Sequence, residues 1–99
     1  MKKLTLNNIL QRLSQLKAEV RAKYKADIKG LFGSYVKGTQ HKSSDIDILV
    51  DFLNGADLFD FIALAQFLEE TLDCSVDVVP INDIRLELRE VILREAIYI

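Results

Sequence analysis

Gly33-Ser34 and, ten residues further on, Asp45-Ile46-Asp47 are the residues of this chain whose types and spacing suit chemistry. A glycine lets backbone approach a ligand closely, and the N–H groups that open a following helix favour anions. Ser34 adds a hydroxyl donor. On a strand, Asp45 and Asp47 project from one face, about 6.5–7 Å apart along the chain, and can converge on one hard cation. Two like charges held together without a cation are unfavourable, so a bound metal also accounts for the pairing. Together the residues describe a cradle for a phosphate tail and a divalent metal. A third acid, Asp77, interrupts the hydrophobic run Val76-Asp77-Val78. If its strand lies beside the first, Asp77 faces the same cleft, where it either holds a second metal or takes the proton of an attacking hydroxyl.

Other readings of these residues stand beside this one. Surface strands often alternate acid and aliphatic residues, and Asp51 continues the alternation without an assigned task. A helix–loop–helix calcium loop fails, because Ile46, Ile48 and Leu49 stand where polar groups and glycine are needed. No Gly-Lys-Ser/Thr follows a glycine-rich loop, so a Walker phosphate loop is absent. Lys37 and Lys42 are close enough in sequence to assist with phosphate charge.

The elements that must position these groups follow from periodicity. Leu6, Ile9, Leu10, Leu13, Leu16 and Val20 recur at three- and four-residue steps, predicting an amphipathic helix to about Tyr24. Residues 28–32 read as a strand ending at Gly33, with a helical turn over 34–37 closed by Gly38 and a polar loop to Ser44. From Asp45 to Phe52, Ile46, Ile48, Val50 and Phe52 alternate with acid or leucine, the pattern of a half-buried strand. Asn54-Gly55 marks a turn. Residues 57–72 read as a helix with Asp57 and Asp60 in its first turn. A strand over 75–79 closed by Pro80, a helix over 84–95 capped by Asn82 or Asp83, and a short final strand in 96–99 complete the order. Helix and strand alternate, which predicts an α/β (α+β) layered fold, a small mixed sheet with helices packed on it.

At 99 residues, 49% hydrophobic and 28% charged, the chain reads as one domain, residues 1–99, of ordinary globular composition. Charged residues break every apolar stretch, and Asn7, Asn8, Gln11 and Arg12 break the run a signal peptide needs, so a cytoplasmic protein without membrane contact is expected. A lone Cys74 fits a reducing compartment and reads as a small buried or half-buried hydrophobe. His41, the single histidine, excludes His-rich metal sites and reads as a solvated loop residue. Residues 1–42 carry a net charge of +8 and residues 43–99 a net of −10. The basic residues lack interleaved aromatics, so a solvated face that meets an acidic partner is expected, rather than direct nucleic-acid binding.

Taken together, GSYVKG, SSDIDILVDF and SVDVVP resemble the minimal nucleotidyltransferases, small members of the DNA polymerase β-like nucleotidyltransferase superfamily. That pattern is hydrophobic–Gly–Ser, a spacer, acid–hydrophobic–acid, then an acid on a later strand. The closing LREVILREAIYI is also similar to the family's C-terminal segment. The resemblance implies a nucleotidyltransferase fold in which Asp45, Asp47 and Asp77 are catalytic and bind Mg²⁺, and Gly33-Ser34 contacts the triphosphate of ATP. It implies in-line attack of a hydroxyl on the α-phosphate with release of pyrophosphate. Many relatives carry Arg just after Gly-Ser, where this chain has Tyr35; Lys37 is the nearest replacement. Larger relatives append a helical domain that supplies the acceptor site, so that half of the cleft is expected to be missing or to come from another chain. Many minimal nucleotidyltransferases are paired with a helical HEPN-type toxin and act as its antitoxin, transferring AMP to a toxin tyrosine. The alternatives are a module that masks its partner by contact alone, and nucleotidyl transfer to a small molecule.

Overall fold

The computed structural model describes residues 5–41 and 44–99; Lys42 lies outside them. The first helix, α1 (Leu6–Tyr24), starts where the Thr5 side chain accepts from the Asn8 N–H at 3.1 Å and ends at Lys25 in the left-handed conformation. Its apolar stripe, Ile9, Leu13, Leu16 and Val20, is buried. Strand β1 (Ala26–Phe32) begins two residues earlier than its periodicity suggests, because Ala26 is small and fully buried at the strand's foot. After Gly33 comes the single turn α2 (Ser34–Lys37), closed by Gly38 with φ 75°.

Strand β2 (Ile46–Phe52) runs back antiparallel to β1, and α3 (Leu58–Leu72) returns over the sheet with Leu64, Leu68 and Leu72 buried. The acids of its first turn form a reciprocal cap: Asp60 N–H donates to the Asp57 carboxylate and Asp57 N–H to the Asp60 carboxylate, both at 3.0 Å. Strand β3 (Val76–Pro80) pairs parallel with β2 and forms one edge, where a proline is tolerated.

A 3₁₀ turn, Ile81–Asp83, follows, and α4 (Leu86–Glu95) leads to β4 (Ile97–Tyr98), antiparallel to β1. The cap expected at Asn82 or Asp83 is not formed. The helix starts at Leu86 behind Arg85, with no side-chain cap, because Ile84 is spent as a buried anchor and Arg89 Nη2 donates to the carbonyls of Asn82 and Ile84 at 3.2 and 3.1 Å.

The sheet order is β3-β2-β1-β4, mixed as expected. Its main core lies between α1, α3 and the inward residues Ile28, Leu31, Ile46, Ile48, Val50 and Val78. Leu49 points the opposite way from Ile48 and Val50, yet it is fully buried. The 3₁₀ turn packs against β2 on that side, so the face read as solvent-exposed is covered at its centre. No described helix is long and apolar enough to cross a membrane.

Strand β4 holds its place through a close backbone approach at Gly30, where a Cβ would collide with the Ile97 carbonyl. Gly30→Ala is therefore expected to detach β4 at a cost of about 1–3 kcal/mol, since a buried group must shift. Denaturant unfolding and faster amide exchange at Ile99, whose N–H donates to the Lys29 carbonyl at 3.0 Å, check this; an unchanged midpoint refutes it.

Candidate active site

Three elements bring the candidate residues to one end of the sheet. β1 delivers Gly33 at its C-terminal end, and β2 starts beside it, with Phe32 paired to Asp47. β3 lies alongside β2 in parallel, so that Asp47 and Asp77 are direct register partners. On neighbouring strands at the same register, their side chains stand on one face. Asp45 sits one residue before β2 begins, exposed, rather than within the strand.

The contact that unites the glycine turn with the acids is tight. Gly33 has φ 82° and ψ −151°, a region open essentially to glycine alone. A Cβ there would overlap the Asp47 carboxylate. The chain therefore needs glycine twice over, for its conformation and for clearance. The turn is fastened by Val36 and Lys37 N–H groups donating to the Gly33 carbonyl, both at 3.1 Å, and by Thr39 N–H donating to the Ser34 carbonyl at 3.0 Å.

Electrostatics mark Asp47 as the focal group. Its carboxyl is pushed up to about 6, first by burial, then by the charges of Asp77 and Asp45, and last by a side-chain hydrogen bond with Asp77. Repulsion from two neighbouring acids is what a cation in this place would relieve, and an all-carboxylate donor set suits a hard divalent ion. Among the described residues, no group of three His, Cys, Asp or Glu side chains is placed to hold a metal ion by itself.

The remaining sequence candidates take simpler places. Lys37 Nζ lies 3.4 Å from the Glu95 carboxylate at the end of α4, with both side chains about half exposed. Glu95 is a neighbour that periodicity could not reveal, because the pairing depends on how α4 crosses the sheet. His41 lies in the exposed loop, its N–H donating to the Ser44 hydroxyl at 2.9 Å. Cys74 is half-buried, its thiol raised by burial and by Asp73 and Glu69, away from nucleophilic character. On the flank of α1, Lys17, Arg21 and Lys29 line a shallow depression with Asp27. There Arg21 is already paired with Asp27, and Lys17 donates to the Ile99 carbonyl at 3.1 Å.

Residues 13–99 match the nucleotidyltransferase domain family. The chain belongs to that family. It is similar along its length to the protein adenylyltransferase MntA of Thermococcus cleftensis, 38% identical over 96 residues that cover 97% of each protein. A solved structure assigned to the minimal nucleotidyltransferases superposes with a TM-score of 0.82 at 33% identity, covering 98% of both chains. A toxin–antitoxin crystal structure with AMP-PNP superposes with a TM-score of 0.67 at 33% identity, covering 96% of this chain and 72% of that one. The mixed four-stranded sheet with its helices is thus the minimal nucleotidyltransferase fold, and the expected fold class and family both hold. Nucleotidyltransferases of this family generally use a divalent metal.

Proposed function

We propose that this chain is a Mg²⁺-dependent protein adenylyltransferase that moves AMP from ATP onto a tyrosine hydroxyl of a helical HEPN-type toxin, and so acts as its antitoxin. The observation that carries the reading is the convergence of Gly33, Asp47 and Asp77 at one end of the sheet, with Asp45 close enough to raise Asp47. The similarity to MntA of Thermococcus cleftensis supports protein as acceptor. The AMP-PNP in the toxin–antitoxin relative supports ATP as donor and a toxin as partner.

Each residue has a definable task in this reading. The Gly33-Ser34 turn lets the triphosphate lie against backbone, with the first N–H groups of α2 and the Ser34 hydroxyl as donors. Asp45 and Asp47 would hold the ion, and Asp77 would serve as a further ligand or accept the proton of the attacking hydroxyl. Mg²⁺ supplies charge stabilisation at the phosphates and favours the ionised form of Asp47. The acceptor oxygen forms a bond to the α-phosphorus as the α–β bridging P–O bond breaks; pyrophosphate departs and the hydroxyl proton passes to a carboxylate. Lys37, two residues after Tyr35 and 3.4 Å from the Glu95 carboxylate, is the cation nearest in sequence to the phosphate turn.

The test is incubation with labelled ATP, Mg²⁺ and the protein encoded by the neighbouring reading frame. The expected result is a mass increase of one or more AMP units on that partner and none without Mg²⁺. Neutralisation without any mass increase would leave a masking module, and labelling of a small molecule with no partner present would sink the protein-acceptor reading.

A further inference from the structure

Strand β3, which carries Asp77, is five residues long and forms an edge of the sheet, paired with β2. A slip of one residue in so short an edge strand would turn Asp77 to the other face. On the inner side the register is held where Ile46 N–H donates to the Ser75 carbonyl at 3.0 Å. Alternate residues of a parallel strand bond to the same neighbour, so Val76 turns its N–H to the open edge. There the Glu69 carboxylate accepts it at 3.2 Å. Val76 stands opposite Ile46, which lies between Asp45 and Asp47, and it directly precedes Asp77.

Glu69 lies in the last turn of α3 and ties down the connection from both ends. Its backbone carbonyl accepts from the N–H groups of Asp73 and Cys74, the latter at 3.3 Å, and Asp73 is left-handed with φ 55°. The same residue thus closes the helix with its carbonyl and receives the strand with its carboxylate. Helix stability does not explain an acid in this place. The last turn of α3 holds no basic residue, and a carboxylate near a helix C-terminus is disfavoured by the macrodipole. The bond to β3 does explain it, because an N–H donates more strongly to a carboxylate than to a neutral oxygen.

We infer that Glu69 is a positioning residue for nucleotidyl transfer: its carboxylate hooks the Val76 N–H and so holds β3 in the register that presents Asp77 to the site. The inference rests on Asp77 serving in the transfer proposed above. One peptide unit separates the hooked N–H from Asp77, so a shift of the first is passed to the second. A displacement of about 1 Å at a group acting on the reacting atoms costs up to ~10²-fold in rate. Gly33, Asp45 and Asp47 belong to β1, β2 and their flanking residues and do not hang on the hook. The loss therefore falls on the chemical step and spares nucleotide binding.

The experiment compares wild type, Glu69→Ala, Glu69→Gln and Glu70→Ala, the last removing the adjacent exposed acid of the same turn. Amide exchange followed by NMR reads Val76, and labelled-ATP transfer to the neighbouring-frame protein gives kcat and KM for ATP. Glu69→Ala is expected to speed exchange at Val76 at least ~10-fold and to lower kcat ~10- to 30-fold, with KM within ~2-fold of wild type. Glutamine keeps an acceptor oxygen at the same reach, so Glu69→Gln should recover kcat to within ~3-fold. Glu70→Ala should match wild type in every readout. Wild-type kcat in Glu69→Ala overturns the inference, as does a glutamine variant as impaired as alanine, a loss carried by KM alone, or an equal loss in Glu70→Ala. Unchanged exchange at Val76 overturns it whatever the activity. If the wild type transfers no AMP, the transfer reading falls, and faster exchange in Glu69→Ala but not in Glu70→Ala then upholds the hook by itself.

Discussion

Replacing Asp45 and Asp47 together by asparagine is expected to reduce AMP transfer at least ~10³-fold while the folded protein becomes more stable in the absence of metal. Both effects have one cause. In the metal-free chain, Asp47 is held beside Asp77 and Asp45, and burial with that repulsion raises its carboxyl from 3.8 to about 6. A carboxyl raised on folding binds its proton more tightly in the native state. Between about pH 4 and about pH 6 the folded chain therefore holds more protons than the unfolded chain, and stability falls as the pH rises through that window. Asp47 is partly open to solvent, so the loss is of order 1 kcal/mol, roughly 4–8 °C in a domain of this size. Asparagine removes the charge and the dependence. Melting curves in chelator at pH 4 and pH 7.5 should coincide at the lower pH and separate at the higher, with the variant more stable. Added Mg²⁺ should close the gap for wild type only. A variant that is equally stable at both pH values relative to wild type, or that still transfers AMP, rules out the assigned role.

Gly33→Ala is expected to be the most damaging single methyl group in the protein. The left-handed φ of 82° with ψ −151° disfavours any side chain by about 1–3 kcal/mol, and the new Cβ also meets the Asp47 carboxylate. The turn must open or Asp47 must swing away, so both the phosphate cradle and the acid are displaced. A drop in melting temperature of roughly 10–20 °C is expected, with AMP-PNP affinity lowered ~10²-fold or more. Gly38→Ala supplies the contrast. Its φ of 75° carries the left-handed penalty of about 1–2 kcal/mol, but nothing lies within 4 Å of its Cβ. Gly38→Ala should therefore lose stability alone and keep nucleotide affinity. Equal behaviour of the two variants would falsify the close approach of Gly33 to Asp47 as the reason for glycine.

Much of the fold was legible because apolar spacing is dictated by the same geometry that forms the elements. Ile9, Leu13, Leu16 and Val20 bury as their helical period predicts, and Ile46, Ile48 and Val50 bury as a strand's does. Errors fell where tertiary contact overrides local preference. Leu49 alternates like a solvent-facing residue but is covered by the segment after β3. Asn82 and Asp83 are good caps on paper, yet Ile84 is drawn into the core and the helix waits until Leu86. The spacing of Gly33-Ser34, Asp45 and Asp47 carried the phosphate-and-metal reading by itself, because each feature spans only a turn or a strand.

Two matters lay beyond local pattern. Whether Asp77 joined the other acids depended on β3 pairing with β2 in parallel, in a register that sets Asp77 opposite Asp47; a slip of one residue would have turned it to the other face. The end of α4 reaching the phosphate turn through Glu95 and Lys37 depended on the path of a helix across a sheet. The sequence alone therefore determined which groups were available for nucleotide and metal, since residue type and short-range period need no knowledge of distant neighbours. Tertiary structure decided which of them meet, because contacts between residues 30 and 58 positions apart are set by strand register and helix packing and by nothing local.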